Sequence, residues 1–158
     1  KSVGGKVSKI KVQEWGASAS AVSFRSIQPM GKPNKAGFLT MKLPQLSGAY
    51  SVKGLELYRE TRKTPLVLSA PLVEKTSITI KLQKKGYRPF MLPSSIFIKS
   101  RAGRIVYKVT YNAASRRIVW FKEFVVFSRY IKPTDYPSFR KLYLAYLNPH
   151  QRRIILKK

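Results

Sequence analysis

A chain of 158 residues fits one domain with a single core, and an apolar fraction of 44%, with 12% aromatic, supplies the side chains to fill it. The absence of cysteine and the presence of one histidine, His150, exclude disulfides, thiol nucleophiles, thiolate metal sites and histidine-based metal clusters. Thirty-two Lys and Arg against six acids leave a net charge of +26, which attracts polyanions without choosing among nucleic acid, acidic glycan and an anionic surface.

Residues 1–36 form a patchy N-terminal segment that reads as the first strands of the domain or as an appendage to it, and residues 37–158 form the domain proper. Ile10 and Val12 alternate with lysines, Val22 and Phe24 make a second short run, and Gly31-Lys32-Pro33-Asn34 is a turn cluster. Gly4-Gly5-Lys6 lacks the remainder of a phosphate-binding loop. The chain opens at Lys1 without methionine or a cleavable leader, so it is expected to be a piece of something longer.

Phe38–Leu43 is expected as a strand closed by Pro44, followed by further strands at 54–58 and Pro65–Leu68. The alternation is cleaner over Thr76–Leu82, where Ile78, Ile80 and Leu82 share one face. Gly86-Tyr87-Arg88-Pro89 and Leu92-Pro93 read as an irregular connection. A meander of Ile96–Lys99, Arg104–Tyr111 and Arg117–Phe127 follows, joined by turns at 101–103 and 112–115.

In the last of these runs both faces are apolar. Ile118, Trp120, Phe124 and Val126 line one side, and Val119, Phe121, Val125 and Phe127 line the other, so both sides should be covered. Phe139, Leu142, Tyr143 and Tyr146 make a helical stripe within 134–147, with Pro137 in the first turn and Asn148-Pro149 as the stop. This helix can cover one side. Residues 152–158 read as a last strand. The class implied is mainly β: an immunoglobulin-like β-sandwich of antiparallel strands with one C-terminal α-helix. No run of about 18 apolar residues exists to span a bilayer as a helix.

Little in the sequence carries chemistry. His150 stands in a connection after the helix, with no sequence partner for base catalysis. The acids Glu14, Glu56, Glu60, Glu74, Glu123 and Asp135 form no signature pair, and Glu123, on an apolar strand face, is expected either to meet a cation in a covered interface or to mark an edge of the cover. The expectation is a non-catalytic domain with no catalytic residue, cofactor or metal. Val119, Phe121, Val125 and Phe127 are its candidate docking face. Arg101, Arg104, Arg116 and Arg117 are candidate anion contacts, for the alternative in which a basic β-module binds nucleic acid or acidic glycan.

One further pattern lies in the order of short motifs. Arg62-Lys63-Thr64-Pro65-Leu66-Val67-Leu68, Thr76-Ser77-Ile78-Thr79-Ile80-Lys81-Leu82, Gly86-Tyr87, Leu92-Pro93 and Ile131-Lys132-Pro133-Thr134-Asp135-Tyr136-Pro137 with Phe139-Arg140 resemble the C-terminal β-sandwich domain, a domain of unknown function, of bacterial transglutaminase-like proteins. The resemblance spans about residues 37–158. It implies an extracytoplasmic location (periplasmic, cell-surface or secreted) and an accessory role beside a papain-like catalytic domain of the same polypeptide, which this chain does not contain. No catalytic residue carries over, because the family's Cys, His and Asp belong to that other domain.

Overall fold

The structure, a computed structural model, describes residues 6–14, 20–27, 32–43, 57, 59–69, 71–82 and 86–158. Contacts divide the chain into two units, Lys1–Pro33 and Asn34–Lys158. In the first, the two short alternating runs pair as an antiparallel hairpin of β1 (Lys6–Glu14) and β2 (Ser20–Ile27), with a register shift between Val7 and Lys9.

The second unit is mainly β, made of antiparallel sheets with one C-terminal helix, as the alternating runs imply. Its elements are β3 (Phe38–Lys42), β4 (Leu66–Val67), β5 (Leu72–Lys81), β6 (Arg88–Met91), β7 (Ile96–Lys99), β8 (Gly103–Asn112), β9 (Arg117–Val126), β10 (Tyr130–Ile131), α1 (Tyr136–Leu147) and β11 (Arg153–Lys157). A four-stranded sheet has the order β5-β9-β8-β7, a three-stranded sheet the order β3-β11-β6, and β4 pairs with β10. Short turns hold β7, β8 and β9 side by side, as two-way hairpin pairing requires.

Three strands differ from their sequence reading for identifiable reasons. β5 begins at Leu72 rather than Thr76, because Glu74 sits on its inward face and hides the alternation from a hydrophobicity count. β6 runs through Pro89, which the sequence marks as a breaker. Among the described residues the strand pairs only with β11, so it is an edge strand, where a proline is tolerated, and the register shifts between Ile155 and Leu156. The short β10 goes unannounced because two residues carry no period. The expected strand at 54–58 lies outside the described residues apart from Leu57, which is buried and in no strand.

α1 follows the expected stripe, burying Tyr136, Phe139, Leu142, Tyr143 and Tyr146 and packing on β8. Two bonds tie it to the segment before β4: Tyr136 Oη donates to the Arg59 carbonyl at 3.0 Å, and Arg140 Nε to the Leu57 carbonyl at 3.0 Å. The deepest core residues are Ile105, Ile118, Leu142, Ile154 and Leu156, all with no accessible surface.

Gly103, at the start of β8, is required by close approach. A Cβ there would stand 2.1 Å from the Val125 carbonyl oxygen of β9, and that oxygen belongs to backbone already committed to the ladder. Gly103→Ala must push the two central strands apart, with an expected loss of about 1–3 kcal/mol read as a lowered urea midpoint. An unchanged midpoint would contradict the register at this end of the sheet.

Candidate interaction face

β9 is the central element of the site because its two faces have different fates. Ile118, Trp120, Lys122, Phe124 and Val126 are all buried on the inner face. There the Phe124 ring stacks on Tyr146 at 4.7 Å, Trp120 Nε1 donates to the Gln151 carbonyl at 2.8 Å, and Tyr107 Oη of β8 donates to the Tyr146 carbonyl at 3.0 Å. The helix thus closes this side.

On the outer face the cover is partial among the described residues. Strand register brings Val119, Phe121, Glu123 and Val125 of β9 beside Val73 and Lys75 of β5 and Arg104, Val106 and Lys108 of β8, with Phe97 and Lys99 on β7. Val73 is 65% exposed and Phe97 67%. Of the four candidate docking residues, Val125 is buried, Val119 and Phe121 are half-buried, and Phe127, just past the strand, is exposed. Long side chains of the neighbouring strands supply that partial cover.

Glu123 lies at the middle of that cover. Arg104 Nε approaches it at 2.9 Å and Lys75 Nζ at 3.3 Å, from the strands on either side. The Arg104 hydrogen bond, helped by Lys75 and opposed by burial, holds the Glu123 carboxyl below the usual carboxylate range, and the same contact raises the Arg104 guanidinium. Arg104 is therefore engaged within the sheet. The four arginines proposed as anion contacts are not brought together: Arg101 and Arg104 lie at one end of the sheet, Arg116 and Arg117 at the other. The rows of Arg104 and Arg117 lie eight positions apart along β9, about 27 Å of strand. Arg116 closes the β8–β9 turn in the left-handed region at φ 53°.

A second cluster, on the inner face, escapes the sequence reading. Lys122 forms an ion pair with Glu74 Oε1 and stands 4.3 Å from the centre of the Tyr146 ring, while Tyr146 Oη donates to Glu74 Oε2 at 2.9 Å. The two charged side chains are only 10% and 12% exposed. A signal was present: Lys122 has the same parity as four buried apolar neighbours, and a lysine there needs an acid. The identity of that acid depends on cross-strand register, which pairs Glu74 with Phe124 and Thr76 with Lys122.

Burial raises the phenols of Tyr107 and Tyr146 above their ordinary value of 10.0, with the Glu74 carboxylate adding to both. The folded chain keeps these protons at pH values where unfolded tyrosines lose theirs. Stability from them is therefore complete below about pH 10 and falls as pH rises further. Urea midpoints taken between about pH 9 and pH 11 should drop, and the drop should be shallower in Tyr107→Phe.

Glu74 and Glu123 occupy opposite faces of one sheet, so they do not form the facing pair that glycoside chemistry uses. His150 borders a cleft of about 250 Å³ with Gln151, Arg153 and residues 91–94, a lining that includes no carboxylate. Among the described residues, no group of three or more His, Cys, Asp or Glu could hold a metal ion, and no helix is long and apolar enough to cross a membrane.

The fold has a counterpart in the crystal structure of a putative protease from Parabacteroides distasonis, with a TM-score of 0.63 and 17% identity. The likeness covers 88% of this chain and 30% of that one, so the chain spans under a third of the other protein's length. No curated protein matches the sequence. The model of a domain of unknown function with a solved structure, DUF3858, matches residues 40–156, and the chain belongs to that family.

Proposed function

We propose that this chain is a non-catalytic accessory domain of a longer, extracytoplasmic, transglutaminase-like protein, and that it docks on a neighbouring domain of that protein through the outer face of the four-stranded sheet. One observation carries the reading. The outer face exposes Val73 and Phe97 around a strand that is apolar on both sides, while the helix covers only the inner face. The coverage of under a third of the Parabacteroides protein supports a domain that works beside others. The motifs from Arg62 to Arg140 support a transglutaminase-like neighbour.

The reading has two tests. The full-length reading frame should encode a cysteine-containing papain-like segment upstream, and a frame without one removes the transglutaminase-like neighbour. In the full-length polypeptide, Val73→Lys with Phe97→Lys should release the domain. Small-angle scattering would then show a larger maximum dimension while this domain's own melting transition stays in place. An unchanged scattering profile would mean that this face does not dock.

A further inference from the structure

We infer that the surface received by the outer face is an acidic polypeptide surface carrying aromatic or aliphatic side chains; the inference rests on the docking reading above and specifies the partner's chemistry. Along the strand rows, Lys81 and Arg117 stand at one end, Lys108 beside Phe121, and Lys99 beside Arg104 at the other. Among the described residues the single carboxylate on this face, Glu123, is already neutralised by Arg104 and Lys75. The apolar side chains of this face therefore stand among an excess of cations, and a partner that desolvates them must bring carboxylates with it.

Charge also decides against the other occupants. A second copy would set the same cationic rim against itself in a chain of net charge +26, which a self-complementary interface cannot accommodate. A single-stranded nucleic acid would use aromatic platforms for its bases. Here Phe97 and Phe121 are the aromatic side chains of the outer strand rows, β8 separates them, and the other apolar positions of those rows are valines such as Val73, Val106 and Val119. Valines and carboxylate-seeking lysines together match a protein surface.

The experiment uses the 158-residue chain, on which this face is open. Titration with a random copolymer of glutamate and tyrosine, at physiological salt, is compared with polyglutamate, oligothymidylate and vesicles of phosphatidylserine and phosphatidylcholine in roughly equal amounts. Two doubly charge-reversed variants carry the same net charge: Lys99→Glu with Lys108→Glu on the outer face, and Lys132→Glu with Lys141→Glu on exposed positions elsewhere. The outer-face pair should weaken copolymer binding about tenfold and the control pair less than about twofold. Phe97→Ser should weaken the copolymer about fivefold and leave polyglutamate unchanged.

Equal losses in the two charge variants would reduce the effect to bulk charge and overturn the inference. A loss confined to the outer-face pair but seen only with oligothymidylate or vesicles would reassign the face to nucleic acid or lipid, and would overturn it too. If the scattering test shows docking while the copolymer fails to discriminate, the docking reading stands and the acidic partner falls.

Discussion

Glu74→Leu should cost about 3–5 kcal/mol of unfolding free energy, because it strands the Lys122 ammonium under the helix without a counter-charge. Desolvating an ammonium is expensive, and the acceptors left to it are one tyrosine ring and the water that can reach a side chain 10% exposed. Glu74→Leu combined with Lys122→Met removes both charges and fills similar volume with apolar groups, so it should recover most of the loss or exceed the parent stability. Urea denaturation of the four chains as a double-mutant cycle measures the coupling. Independent, additive losses would show that the pair does not act as a unit. Tyr146→Phe extends the test, since it deletes the hydroxyl that donates to Glu74 and keeps the ring stacked on Phe124.

Phe124→Ala should destabilise by a similar amount, about 3–5 kcal/mol, through a cavity rather than a charge. Phe124 is 1% exposed, lies on the central strand opposite Ile105, and stacks on Tyr146 at the point where the helix meets the sheet. Strands on both sides and the helix above limit how far the site can collapse, which places the cost at the high end for a core truncation. Thermal unfolding monitored at the helix and sheet bands should show both signals lost together. Val119→Ala, one face away on the same strand, removes a half-buried side chain and should cost well under half as much. Equal costs at the two positions would contradict the assignment of inner and outer faces.

The sequence was most readable where one face is wet and one dry. β7 and β8 follow their alternation almost to the residue, and α1 follows the stripe from Phe139 to Tyr146. Reading failed where a polar side chain takes an inward position, as Glu74 does in β5, or where pairing on one edge alone excuses a proline, as at Pro89. The candidate site was legible in part. The two-sided apolar character of 117–127 drew attention to β9, and of the two readings of Glu123 the structure realises the one in which it meets a cation. Which cations it meets, and which acid answers Lys122, are matters of register between segments up to 48 positions apart, and local pattern holds no information about them. The candidate arginines stand in the sequence as two pairs, Arg101 with Arg104 and Arg116 with Arg117, and the sheet sets those pairs at opposite ends of its length.

The docking account is most directly tested by oxidative footprinting of phenylalanines in the full-length polypeptide, since this chain supplies its own standards. Phe90 of β6 is exposed, at 61%, and Phe124 is buried. If the outer face is occupied by a neighbouring domain, Phe97 should label as slowly as Phe124 despite its exposure in the domain alone. Labelling of Phe97 at the rate of Phe90 would mean that the face stays open in the intact protein, and would contradict the account.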